Sequence, residues 1–139
     1  MTLRPFHLAF PVHDLGAARA FYGDMLGCAE GRSSADWIDF DFYGHQIVAH
    51  QAPGLVADRA RTKVDNEDVP VPHFGVVVTM KDWHELKAKL TEADVDFIIP
   101  PTVRFKGEAG EQATMFFRDP SGNALEMKAF ADDAMLFAN

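Results

Sequence analysis

The sequence predicts an α+β fold made of two copies of one strand–helix–strand–strand–strand module, paired as an incomplete barrel around a cleft. Three observations predict it. The chain repeats itself: Phe6-His7-Leu8-Ala9-Phe10-Pro11-Val12 runs into Asp14-Leu15 and a helical pattern, and Pro72-His73-Phe74-Gly75-Val76-Val77-Val78 runs into Asp82-Trp83 and another. The two histidines stand almost half of the 139-residue chain apart. Within each half the hydrophobic period changes from strand-like to helix-like and back. Finally, a half that presents one helix and one curved sheet cannot bury both sheet faces alone, so two halves are expected to pair and leave a cleft between their concave faces.

Taken in order, residues 5–12 read as a buried strand, and Asp14 is placed to cap a helix. Leu15, Ala18, Phe21, Tyr22, Met25 and Leu26 recur at helical spacing, and Gly27 ends the run. Residues 36–43 alternate polar and apolar as a half-buried strand does, Gly44 marks a tight hairpin, and residues 45–51 form the next strand. Residues 52–71 carry Pro53, Gly54, Pro70 and many charges, and read as a surface linker or a flap over a site. In the second half, residues 72–80 are expected as a strand. Residues 81–93 are expected as a helix with Trp83, Leu86, Leu90 and Ala93 on one face. Phe97-Ile98-Ile99 reads as a short strand stopped by Pro100-Pro101. Gly107 and Gly110 flank a turn, 113–118 is a strand, Asp119-Pro120-Ser121-Gly122 a turn, and 123–130 the last strand. The tail, 132–139, reads as a short helix or a docking arm. Module one is thus expected at about 4–52 and module two at about 72–131, in one domain.

Composition narrows the partners. Thirteen Lys and Arg face twenty-one Asp and Glu, a net charge of −8, with no basic stripe, so nucleic acid is not an expected partner. No apolar run reaches the roughly 20 residues that span a bilayer, and the N-terminus lacks the pattern of a signal peptide. Cys28 is alone, so no intrachain disulfide can form; a reducing cytoplasm is the expectation, with Cys28 a small buried hydrophobe. A small molecule is the expected partner.

Strand parity brings out the chemistry. His7, Ala9 and Pro11 share a face, opposite Phe6, Leu8, Phe10 and Val12. His73, Gly75 and Val77 share a face, opposite Phe74, Val76, Val78 and Met80. Near the end, Ala124, Glu126 and Lys128 face together, opposite Leu125 and Met127. A ligand-type side chain flanked by small residues occurs in three separate strands, and two of them occupy matching points of the repeat. Alone, each has an ordinary structural reading. Together they point to a divalent metal held by His7, His73 and Glu126. Two imidazoles and a carboxylate suit Fe(II) with open positions for oxygen, or Zn, Ni, Mn or Co.

Arg104, Lys106 and Gln112 cluster around Gly107 and Gly110, where a local Arg and Lys in an acidic protein can hold a substrate carboxylate or phosphate. Trp37, Phe40, Phe42, Phe116 and Phe117 read as core and cleft walls, Phe116 being a candidate substrate contact. His13, His45 and His84 read as surface residues. No Gly-rich nucleotide loop and no nucleophile elbow occur.

The order His7…Asp14-Leu15…Phe21-Tyr22…Leu26-Gly27, then His73, then Asp119-Pro120-Ser121-Gly122-Asn123 with Glu126, resembles the vicinal oxygen chelate superfamily over nearly the whole chain. That superfamily includes glyoxalase I, fosfomycin and bleomycin resistance proteins, methylmalonyl-CoA epimerase and extradiol dioxygenases. The resemblance implies paired βαβββ modules, a homodimer, and a metal chelated by adjacent substrate oxygens, with His7, His73 and Glu126 at the family's ligand positions. It implies either dioxygenation or glyoxalase-type lyase or isomerase chemistry, with Glu126 or His50 moving a proton. The alternative is sequestration of an antibiotic, as in bleomycin-resistance proteins, which generally lack the metal triad. Two departures stand out. The family's fourth-strand Glu or Gln falls on or near Val48; His50, further along the same face, is open as a ligand, an acid–base residue or a structural group. Extradiol enzymes carry a Tyr where this chain has Phe116.

Overall fold

The computed structural model describes residues 3–52, 60–64 and 67–139. The chain divides into two compact units, one of Met1–Ala57 with Asp119–Asn123, the other of Asp58–Arg118 with Ala124–Asn139. Each carries a four-stranded open sheet with one parallel and two antiparallel pairings.

In the first unit, β1 (His7–Val12) leads into helix α1 (Leu15–Ala18), which widens into a π-helical stretch, Arg19–Met25. The Asp14 carboxylate accepts from the Gly16 N–H and caps the helix. The π turns close with the Leu26 N–H donating to the Phe21 carbonyl. Two adjacent rings of this stretch, Phe21 and Tyr22, are buried. Strands β2 (Ala29–Ser33), β3 (Trp37–Phe42) and β4 (His45–Gln51) complete the sheet in the order β1-β4-β3-β2. Ile38, Phe40 and Phe42 of β3 and Phe10 and Val12 of β1 are buried with the helix, as their alternation requires. The Tyr22 ring lies 5.3 Å from Phe10, 4.9 Å from Phe21 and 5.5 Å from Phe40. Strand β2 escapes sequence reading because all five of its residues are exposed on a sheet edge, so it has no hydrophobic period.

The 119–123 turn belongs to this unit. The buried Asp119 carboxylate accepts from the Tyr22 hydroxyl at 2.8 Å, from the Asn123 amide, and from the Ser121 and Asn123 N–H groups. Asn123 also donates to the Pro11 carbonyl at 2.7 Å, and Gly122 takes the positive φ of 84° that the turn needs.

The second unit opens with an antiparallel pair, β5 (Ala60–Val64) and β6 (Glu67–Val71). In these two stretches paired strands replace the irregular linker, one of the two expectations for 52–71; residues 53–59 and 65–66 of that segment lie outside the described ones. Strand β7 (Phe74–Val78) is shorter than the expected 72–80, because Thr79 caps helix α2 (Met80–Glu92) by accepting from the Asp82 N–H. Trp83, Leu86 and Leu90 are buried, and the Trp83 indole donates to the Met127 carbonyl at 3.0 Å. Strands β8 (Phe97–Arg104), β9 (Gln112–Arg118) and β10 (Ala124–Phe130) give the sheet order β7-β10-β9-β8, and the tail forms a 3-10 helix, Asp133–Phe137.

The prolines do not stop β8 at Ile99. β8 is an edge strand, and its register slips between Ile99 and Thr102, where Pro100 and Pro101 sit. An edge strand with a bulge has no ladder bond there for proline to break.

Candidate metal and substrate site

The chemistry of the second unit gathers on one face of its sheet. Register puts Glu126 beside Phe116 on one flank and Gly75 on the other, with His73 just ahead of β7. A Cβ on Gly75 would fall onto the Glu126 backbone carbonyl. Glycine therefore lets β7 approach β10 closely enough to bring the histidine to the carboxylate. His73 Nε2 stands 3.3 Å from Glu126 Oε1, and His73 Nδ1 donates to the Pro70 carbonyl at 2.7 Å. The Phe116 ring meets the imidazole edge-on at 5.0 Å. On the far side of the carboxylate, the Thr114 hydroxyl donates to Glu126 Oε2 at 2.6 Å.

Electrostatics follow from these contacts. The Glu126 hydrogen bond raises the His73 pKa; partial burial opposes this, and the Pro70 carbonyl adds to it. Burial pushes the Glu126 carboxyl up, but the hydrogen bonds from His73 and Thr114 and the charge of Lys128 outweigh it and hold the group below its usual range. Both His73 nitrogens face acceptors, an arrangement that favours the protonated ring over what an isolated imidazole would show.

The donor set fits a cation. Two ligands bound at about 2.1 Å, roughly at right angles, lie about 3 Å apart, close to the 3.3 Å seen between His73 and Glu126. The Pro70 carbonyl fixes the tautomer that offers Nε2, the role such acceptors play behind metal-bound histidines. Among the described residues, no group of three or more His, Cys, Asp or Glu gathers as a metal cage; His73 and Glu126 form a pair.

These residues line a cavity of about 480 Å³. Of the proposed substrate contacts, Arg104, Gln112 and Phe116 are among its walls and Lys106 is not. Thr114 and Lys128 do line it, although the sequence reading did not single them out as site residues. Their signal lay in strand parity: Lys128 lies two residues past Glu126 and opposite Thr114, itself two before Phe116.

In the first unit, His7 on β1 is level with Gln46 on β4, and His7 Nδ1 contacts Gln46 Oε1 at 2.8 Å. Gln46 in turn donates to Asp39 Oδ2 at 3.3 Å. This second histidine also has its Nδ1 engaged by an amide-type oxygen. The repeat holds in register: Ala9 pairs with Val48 as Gly75 pairs with Glu126. The position matching Glu126 is thus a buried valine. His50 is exposed and level with Pro11, four residues beyond Gln46 on β4, a strand distance of about 13 Å. The sequence pointed to Val48 and His50 on this strand; the register shows Gln46 to be the β4 residue that meets His7.

Comparison with known proteins agrees with this architecture. Residues 4–127 match the model of the glyoxalase/bleomycin resistance protein/dioxygenase superfamily. A glyoxalase/bleomycin resistance protein/dioxygenase from Alicyclobacillus acidocaldarius is 33% identical, with a TM-score of 0.76 and 96% of each chain covered. The fosfomycin resistance protein FosX from Listeria monocytogenes shares the fold at 19% identity and a TM-score of 0.70, covering 97% of this chain and 99% of its own. An integron cassette protein of V. cholerae is 25% identical, with a TM-score of 0.60 over 93% of this chain and 96% of its own. None of the curated proteins matches the chain. The match over 4–127, with the His73–Glu126 pair and the duplicated register, shows that the chain belongs to the glyoxalase/bleomycin resistance protein/dioxygenase superfamily.

Proposed function

We propose that the chain is a metal-dependent enzyme acting on a small molecule with adjacent oxygens, of the glyoxalase-type lyase or isomerase class. The observation that carries the reading is the His73–Glu126 pair, 3.3 Å apart in an open cavity with the His73 tautomer set by Pro70. His73 Nε2 and Glu126 Oε1 would hold the ion, with His7 proposed as a third ligand. A bound divalent ion supplies charge that stabilises an oxyanion on the substrate. Thr114 holds the second oxygen of Glu126, leaving the first for its partner. Phe116 shields His73 from water on one side. Glu126 or His50 would move the proton.

Phe116 favours proton transfer over dioxygenation. It lies directly across from Glu126 and has no hydroxyl to offer there. The test is metal analysis of the purified chain, followed by a methylglyoxal–thiol assay and oxygen-uptake measurements with catechols. Stoichiometric metal, lost without unfolding in His7→Ala, His73→Ala and Glu126→Ala, supports the reading. Metal retained in all three variants refutes the site. Absence of metal with tight binding of aromatic ligands favours sequestration, and oxygen uptake favours the dioxygenase. Residence in the cytoplasm and a homodimeric state belong to the same proposal; no helix among the described residues is long and apolar enough to cross a membrane.

A further inference from the structure

The two histidines of the repeat are oriented by different means. Behind His73 Nδ1 stands the Pro70 backbone carbonyl, which can only accept. The atom 2.8 Å from His7 Nδ1 is instead the side-chain oxygen of Gln46. A glutamine amide has a donor end and an acceptor end of nearly the same shape, so turning it over would present its NH2 group and demand the opposite tautomer of His7. Something must fix the amide. We propose that Asp39 is that positioning residue: by holding the Gln46 amide, it keeps the hydrogen of neutral His7 on Nδ1 and leaves the Nε2 lone pair for the cation. The inference rests on the metal reading above, with His7 as a ligand, and deepens it by assigning what prepares that ligand.

Register builds this relay within the first sheet. His7, Gln46 and Asp41 form one row across β1, β4 and β3, and Ala9, Val48 and Asp39 form the next. Rows on one face are about 7 Å apart along a strand. Asp39 therefore meets Gln46 on the diagonal, its Oδ2 accepting from Nε2 at 3.3 Å. Asp41, level with Gln46, accepts from the Gly44 N–H at 2.7 Å and serves the β3–β4 hairpin. Strand β2 leaves room for Asp39: a Cβ on Gly31 would stand 3.3 Å from the Asp39 Cβ, closer than such atoms ordinarily pack. A glycine on the adjoining strand thus clears the way for the carboxylate residue, as Gly75 does beside Glu126.

The chemistry runs in one direction. A carboxylate has no hydrogen to give, so the end of Gln46 that faces Asp39 is its NH2 group. Gln46 Oε1 is then turned to His7, and an oxygen acceptor there requires a hydrogen on Nδ1. Free histidine in water favours the other neutral form, whose hydrogen sits on Nε2 and blocks that nitrogen to a metal. His7 is exposed, so burial does not set its tautomer. Asp39 works against the ring's own preference, through an amide that without it is free to turn over. The two modules reach the same tautomer by a main-chain carbonyl in one and a pair of side chains in the other.

Long-range proton–nitrogen NMR of the 139-residue chain with isotope-labelled histidines tests this. It distinguishes the two neutral tautomers, and is read without metal at about pH 8.5, above the usual histidine range. His7→Ala assigns the His7 signals, and Zn(II) titrations of the same chains follow. The parent chain should carry the His7 hydrogen on Nδ1. Asp39→Ala should move it toward Nε2 and weaken Zn(II) binding several-fold. Gln46→Leu should do so more fully, by about tenfold or more. Gln46→Glu offers an acceptor whichever way it turns, so it should hold the hydrogen on Nδ1 by itself, and Asp39→Ala added to it should leave the tautomer unchanged. A carboxylate that merely supported the sheet would be missed equally in both backgrounds. Three results would overturn the relay: a parent His7 protonated on Nε2, a tautomer indifferent to Asp39→Ala, or equal effects of Asp39→Ala in the parent and the Gln46→Glu chain. The two readouts keep the relay apart from the metal reading. A tautomer that responds while Zn(II) affinity does not upholds the relay and removes His7 from the ion; Zn(II) lost in His7→Ala, with a tautomer indifferent to Asp39, upholds the ligand and overturns the relay.

Discussion

Single residues set the site. At Gly75 the backbone of β7 passes so close to Glu126 that no side chain fits. Gly75→Ala must push β7 away from β10, which both strains the parallel ladder and parts His73 from its carboxylate. A loss of about 1–3 kcal/mol is expected, in line with other overpacked interiors. Metal occupancy should fall further than in a distant variant of equal stability; denaturation curves with metal analysis check this. The His73–Glu126 pair also predicts a pH response. A histidine raised above 6.5 contributes stability that is full below 6.5 and lost as pH rises through its folded value. A carboxyl held below 4.5 contributes stability that is full above 4.5 and lost as pH falls through its folded value. In the metal-free chain the pair therefore contributes most between pH 4.5 and 6.5. Metal must displace the Nε2 proton, so its affinity should fall as pH drops through the raised histidine value, with about one proton released per ion in that range. Calorimetry in buffers of different ionisation enthalpy measures this directly, and uptake without proton release would contradict the assignment of Nε2.

At the scale of elements, the 119–123 turn is more than a connection between strands. Its carboxylate gathers four donors, including a tyrosine hydroxyl buried under the first helix. Burial, followed by the Asp119 charge, pushes the Tyr22 hydroxyl well above its ordinary pKa, so it remains a donor at any physiological pH. Tyr22→Phe leaves a buried carboxylate one donor short and should cost about 1–3 kcal/mol; urea unfolding would show it, and an unchanged midpoint would contradict it. The legibility of the sequence divides along similar lines. Strands with one buried face announced themselves, because Phe10, Val12, Ile38 and Phe40 alternate with polar or small neighbours. The exposed edge strand β2 gave no such signal. β8 gave a misleading one, since Pro100 and Pro101 break only ladders that need their N–H groups. In the site, His73 and Glu126 were legible because small residues flank both in a repeat. Thr114, Lys128 and Gln46 act through cross-strand register, which appears only once the strands are paired.

For the molecule as a whole, duplication has produced two modules with one pairing scheme and different contents. Where the second unit places Glu126 beside glycine, the first places Val48 beside alanine. The same scaffold position is a candidate ligand in one copy and packing in the other. Because the 119–123 turn is counted with the first unit while the strands on either side of it are counted with the second, neither copy survives as an uninterrupted stretch of sequence. A gene cut after codon 57 would therefore make an orphan: its tyrosine would be buried with no acceptor, and the Pro11 carbonyl would lose its donor. That fragment should show no cooperative melting by circular dichroism, and a peptide carrying Asp119-Pro120-Ser121-Gly122-Asn123 should restore part of it. A sharp transition in the fragment alone would mean that the ancestral half can still stand without its twin.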